Sequence, residues 1–137
     1  MNYSSSCLCG KVSVSLTLSN PIENYDPREC DCEFCQLHEI IYISDAKGEF
    51  TIGPIDTLTK LKQGSEQATF WQCSSCKQIV AVTCKFTDEI RGAVNGVLFS
   101  KESKLKTVVT VSPKFLSPTE KRERWSTSWL QVNFDAY

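Results

Sequence analysis

The sequence predicts a mainly β fold of short antiparallel strands stapled by metal-binding turns, and three observations carry that expectation. Residues 11–18 alternate polar and apolar without a fault, placing Val12, Val14, Leu16 and Leu18 on one face, which is the period of a half-buried strand. Short runs rich in β-branched and aromatic residues recur along the rest of the chain, punctuated by Gly, Pro and Asn. Eight cysteines fall into tight clusters rather than being spread evenly. At 137 residues, with 41% hydrophobic and 23% charged residues, the chain has the size and composition of one globular domain, residues 1–137, without internal repeats or low-complexity segments.

Taken in order, the strand at 11–18 is followed by Asn20-Pro21 and Tyr25-Asp26-Pro27, which mark a loop leading into Cys30-Asp31-Cys32-Glu33-Phe34-Cys35. Residues 40–43 form a short apolar run, and 49–52 read as a strand ended by the Gly53-Pro54 turn. Residues 58–61 and 68–71 bracket Gly64-Ser65 as the arms of a hairpin, whose second arm runs into Cys73-Ser74-Ser75-Cys76. Three more strand-like stretches follow, at 78–86, at 93–99 with Gly96 inside it, and at 105–111. Helix is expected only as a turn or two after Cys32 and in the charged segment 119–125.

Charge narrows the function classes. Fifteen basic residues against sixteen acidic ones leave a formal net charge of -1, so nothing draws the whole chain toward nucleic acid or an anionic membrane. No apolar run approaches the ~20 residues needed to cross a bilayer. The first six residues lack the basic and apolar regions of a secretory signal, so a cytoplasmic location is expected.

In such a reducing compartment, clustered cysteines point to zinc rather than to disulfides. Cysteines two residues apart face opposite sides of an extended strand, and a tight turn around a metal ion is what aims both sulfurs at one point. Cys7-Leu8-Cys9-Gly10 and Cys73-Ser74-Ser75-Cys76 together offer four thiolates, a closed tetrahedral shell that leaves no position for substrate. A structural zinc is expected there, tying the N-terminal part of the chain to its middle. Gly10 suits the positive φ of such a turn, whereas Lys77 stands where glycine would be more comfortable. Cys30, Cys32 and Cys35 offer three thiolates, the pattern of a zinc site with an open position. His38, the single histidine, or Cys84 arriving from a distance would alternatively close that shell. Cys84 shares a strand face with Val80, Val82 and Phe86, which also suits a buried, inert thiol.

The order and spacing of these motifs, Cys7-Leu8-Cys9-Gly10-Lys11-Val12, then Cys30-x-Cys32-x-x-Cys35, then Cys73-x-x-Cys76, resemble the glutathione-dependent formaldehyde-activating enzyme family, also called the centromere protein V/GFA domain. The resemblance covers nearly the whole chain, about residues 6–134. It implies several short coiled antiparallel sheets and two zinc ions per chain. One would be a structural ion on Cys7, Cys9, Cys73 and Cys76. The other, on Cys30, Cys32 and Cys35, would bind glutathione or its adduct for making or breaking a carbon–sulfur bond. The chain departs from the family pattern at Asp31, where histidine is frequent, at Lys77, where glycine is frequent, and at Gln36-Leu37-His38-Glu39, where Arg and Lys are usual. Those departures bear on glutathione, an anion, more than on zinc.

A zinc-dependent carbon–sulfur lyase acting on a small thiol is therefore expected, with zinc as Lewis acid toward the substrate sulfur. Asp31, His38 and Glu39 are the nearest proton carriers, and Lys77 and Arg91 are candidates for holding substrate carboxylates. No nucleic-acid or membrane partner is expected. The alternative is a non-enzymatic zinc-stabilised interaction module, in which both metals serve the fold.

Overall fold

The computed structural model describes residues 1–30, 33–62, 68–87, 89–100, 105, 107–111 and 117–134. Asp31 and Cys32, two of the candidate site residues, and the Gly64-Ser65 turn lie outside the described residues. The alternating stretch at 11–18 forms β2 (Ser13–Thr17) with its four apolar side chains buried. It is flanked by β1 (Asn2–Ser6) on one side and β5 (Glu49–Gly53) on the other, both antiparallel to it. Sequence alone pointed to no strand in the serine-rich β1, which is polar because one of its faces looks outward.

The expected hairpin is present as β6 (Leu58–Lys62) and β7 (Thr69–Cys73), and β8 (Ile79–Lys85) and β9 (Ile90–Asn95) extend it in antiparallel order. β9 is the joint of the fold. Along one side it pairs with β8; along the other its start pairs with β11 (Leu130–Phe134) and its end with β4 (Tyr42–Ile43). Gly92 sits at this crossing, where a Cβ would lie 2.4 Å from the Val82 carbonyl and 3.1 Å from the Phe50 ring. Buried Asn95 ties the joint to its neighbours: its Nδ2 donates to the Ile79 carbonyl, and its Oδ1 accepts the amides of Ile41 and Val97.

The fold is mainly β, as the sequence predicts, but the described strands join in one connected, mixed network rather than in several sheets. Two of the described pairings are parallel: β11 with β5, and β10 (Val109–Val111) with β3 (Arg28–Cys30). Both join segments far apart in sequence, a pairing that local patterning does not signal. Among the described residues, the two α-helices fall where expected: α1 (Glu33–Leu37) directly after Cys32, and α2 (Pro118–Ser128), opened by a capping box between Ser117 and Glu120. No described helix is long and apolar enough to cross a membrane.

Buried side chains divide into two clusters. One gathers the apolar face of β2 with Phe50, Ile52, Trp71, Val80 and Val94, and includes Cys7 and Cys73. The other holds Cys30, Cys35, Ile40, Phe70, Ile79 and Val82, with Trp125 and Trp129 packed against it. The two cysteine groups that the sequence distinguishes thus occupy different regions of the interior.

Candidate metal centre

Cys7 follows the last residue of β1 and Cys73 is the last residue of β7, so each strand delivers a cysteine to a turn. The two turns share a hydrogen-bond frame. In the first, the Cys7 amide donates to the Val12 carbonyl at 3.0 Å and the Gly10 amide returns to the Cys7 carbonyl. In the second, the Cys73 amide donates to the Gln78 carbonyl at 2.9 Å and the Lys77 amide returns to the Cys73 carbonyl. Each frame needs one residue in the left-handed region, which is Gly10 at φ 81° and Lys77 at φ 67°. For glycine this conformation carries no steric penalty; for lysine it costs on the order of 1 kcal/mol. The Lys77 carbonyl is held in turn by the Gln72 side chain.

Contacts between the turns bring them face to face. The Leu8 amide donates to the Gln78 side-chain oxygen at 2.9 Å, and the Lys11 ammonium to the Ser75 hydroxyl at 2.9 Å. The result is a group of four thiols, Cys7, Cys9, Cys73 and Cys76, whose sulfurs all lie within 4.8 Å of one another. Cys7 and Cys9 sulfurs are 3.6 Å apart, and those of Cys9 and Cys73 3.5 Å apart. A tetrahedral zinc with ~2.3 Å bonds to sulfur needs ligand separations of ~3.8 Å. The donor set fits such an ion, and the described cysteines, these four included, are all free of disulfides.

Backbone amides surround these sulfurs. The Val12 amide points at Cys7 Sγ at 3.4 Å and the Cys76 amide at Cys73 Sγ at 3.5 Å. Burial raises the Cys7 thiol to about 11 against the pull of the Val12 amide. Burial acts the same way on Cys76 but is outweighed there by the amides of Gln78 and Cys9, with help from the Cys73 and Cys7 thiols, and its thiol falls to about 6. The Lys11 amide lowers that of Cys9. The group therefore shares protons unevenly, and a divalent cation entering it displaces those that remain. Two of the four, Cys7 and Cys73, belong to the core, and with no position left over for substrate the cluster suits a structural ion.

The second group is arranged differently. Cys30 ends β3 and Cys35 lies in α1, both buried. α1 stops after one turn, with Glu39 in the left-handed region at φ 52° and the Ile40 amide bonded back to the Cys35 carbonyl. Gln36 bridges from the helix to the Cys30 carbonyl and the Glu29 carboxylate. The Tyr42 hydroxyl lies 3.0 Å from the Cys35 sulfur, a contact that nothing in the apolar run 40–43 announces. His38 rests edge-tilted on Phe34, which in turn rests on Phe70. Among the described residues, neither His38 nor Cys84 joins Cys30 and Cys35 in a group of three at metal-ligand distance.

The remaining candidates have other engagements. Cys84 is buried in β8, where the Arg122 guanidinium reaches its sulfur at 3.2 Å, and burial raises its thiol. Arg91, a candidate for holding substrate carboxylates, braces the β9 joint: it pairs with Glu89 at 2.6 Å and donates to the carbonyls of Trp129 and Ala46. Lys77 shapes the second turn through its backbone while its side chain is exposed.

No protein-family model matches the chain, and neither does any curated protein sequence. Among solved structures, the crystal structure of a Rhodobacter sphaeroides protein, a structural-genomics target, is similar to it, with a TM-score of 0.63 over 80% of this chain and 100% of the other at 23% identity. At that identity the likeness is one of fold.

Proposed function

We propose that the protein is a zinc-dependent enzyme of carbon–sulfur chemistry, similar to the glutathione-dependent formaldehyde-activating family, with a structural zinc on Cys7, Cys9, Cys73 and Cys76. The observation that supports this most is the four-thiol group: the first and third motifs of the resemblance meet at zinc-like separations, which leaves the second motif to supply a separate function.

Cys30, Cys32 and Cys35 would hold a second zinc, whose chemistry when bound is to favour the thiolate form of a small thiol and so to make it both a better nucleophile and a better leaving group. The chain's own groups suit that task. Cys30 and Cys35 sit among aromatic and aliphatic side chains that limit the access of water. The Tyr42 hydroxyl, 3.0 Å from Cys35, can donate to a thiolate and hold its orientation. Asp31 and His38 are the proton carriers nearest in sequence. The substrate is a small thiol such as glutathione, or its adduct.

Metal counting tests this directly. Protein purified without chelator is expected to carry two zinc ions, and the Cys32→Ser variant to fold with one. In the cobalt-substituted parent, added glutathione or another small thiol is expected to strengthen the sulfur-to-cobalt charge-transfer band, and in Cys32→Ser it is not. One zinc in both proteins, with no response to any thiol, would leave a zinc-stapled interaction module in place of the enzyme.

A further inference from the structure

One face of the β6–β9 sheet carries a groove of about 340 Å³ that neither cysteine group uses. Strand alternation builds it. Lys60 and Lys62 project from β6, Thr69 and Trp71 from β7, and Thr83 and Lys85 from β8, and the register sets Lys60 opposite Trp71 and Thr69 opposite both Lys62 and Thr83. Among the described residues, three lysines and no carboxylate line the groove, although the chain as a whole is slightly acidic. Its apolar lining is Ile55, Ile90 and Phe134; Ile90 stands opposite Lys85 across the β8–β9 pairing, and Phe134 tilts against Trp71 with ring centres 4.9 Å apart.

Among the described residues, the floor holds a hydroxyl donor with no protein acceptor. Thr83 is only 4% exposed, and its hydroxyl oxygen accepts the Trp71 indole N–H at 2.8 Å. That bond leaves the hydroxyl's own proton without an acceptor among the described residues, a state that buried hydroxyls rarely keep. Trp71 is itself buried, with the Lys60 ammonium 5.4 Å from its ring centre, so the indole holds the floor rigid and presents little free face for stacking.

We infer that this groove binds a small organic anion, a carboxylate or phosphate ester with an apolar body. The anionic group is held by Lys60, Lys62 and Lys85 and accepts the Thr83 hydroxyl proton, while the body lies against Ile55, Ile90 and Phe134. The volume suits a small molecule, and cations and apolar side chains sharing one groove select an amphipathic ligand over inorganic phosphate. The site is independent of the thiol chemistry proposed above, because its residues belong to neither cysteine group.

An NMR titration of the metal-containing protein, labelled on amide nitrogen, provides the test. Benzoate and phenyl phosphate are the probes, with benzyl alcohol, inorganic phosphate and a series of single-stranded oligonucleotides as comparisons. Saturable shifts are expected at the Trp71 indole and at the amides of Thr69, Thr83 and Lys85 with both organic anions. Lys60→Gln/Lys85→Gln replaces two exposed side chains and is expected to weaken them roughly tenfold or more while leaving distant signals in place. The tighter of the two probes identifies whether carboxylate or phosphate is the natural group. Shifts that fail to saturate, that benzyl alcohol reproduces, that the double variant leaves unchanged, or that strengthen with oligonucleotide length would each overturn the proposal.

Discussion

Replacing Cys9 and Cys76 together by serine tests the clasp without disturbing the core. Cys9 is exposed and Cys76 half-buried, whereas Cys7 and Cys73 are buried. The double variant therefore leaves one thiol in each turn, too few for a tetrahedral ion, while the buried positions keep their volume. Cys9 and Cys73 are 64 residues apart in sequence. Treated as a cross-link between them, the metal removes about 4 kcal/mol of loop-closure entropy from the unfolded chain. Two serines at largely accessible positions contribute only ±0.5 kcal/mol each in their own right. A loss of about 4 kcal/mol corresponds to a fall in melting temperature of roughly 15 °C for a chain of this length. Thermal unfolding followed by circular dichroism, with zinc measured on the same samples, is the assay. The parent stripped by a chelator should melt close to the variant, and zinc should restore the parent alone. A variant that melts within a few degrees of the zinc-loaded parent would refute the role assigned to the four thiols.

Two further outcomes follow from other parts of the fold. Asp45 accepts hydrogen bonds from the Ser19 amide and hydroxyl, the Tyr25 hydroxyl and the Lys47 amide. Burial opposes ionisation, but these bonds outweigh it and bring the carboxyl from 3.8 down to about 2. Its stabilisation is therefore complete above pH 4 and lost as pH falls from 4 toward 2. With the discount due to a largely solvated group it is worth about 1 kcal/mol. Asp45→Asn should lose that amount at neutral pH and show a shallower acid transition in urea titrations; an acid transition as steep as the parent's would contradict this. Gly92→Ala puts a methyl group 2.4 Å from the Val82 carbonyl at the β9 crossing. Because the obstacle is backbone, about 2 kcal/mol or more of stability should be lost as a fall in the urea midpoint, and an unchanged midpoint would contradict the register of β8 and β9.

The legible parts of this fold are those whose signal is local. Alternation over 11–18 marks β2 because one face of that strand is buried and the other wet, so polarity follows the pleat. The β6–β7 hairpin and the short helix after Cys32 likewise depend on neighbours in sequence. β3 and β10 are three residues each and pair in parallel across the chain, and the pattern for 105–111 narrows to Val109–Val111 among the described residues. Such strands exist because long-range partners complete them, and their own residues carry no period long enough to announce it.

The same distinction governs the site. Four thiols at knuckle spacing imply their own convergence, because a divalent ion is the common reason for such turns, and the clasp follows from chemistry that the residue names already contain. Tyr42 beside Cys35, Gln78 bridging to Leu8, and the brace made by Arg91 depend on which strand lies next to which. Lys77 shows where residue-type reasoning and geometry part company. Glycine is the residue that the conformation favours, yet lysine adopts φ 67° because the frame around it fixes both of its peptide groups: its amide bonds to the Cys73 carbonyl, and its carbonyl accepts the Gln72 side chain. A penalty of on the order of 1 kcal/mol is small beside the several kcal/mol that an ion shared by the two turns would contribute. The left-handed lysine thus fits a clasp whose main stabilisation would come from a bound metal rather than from the turn.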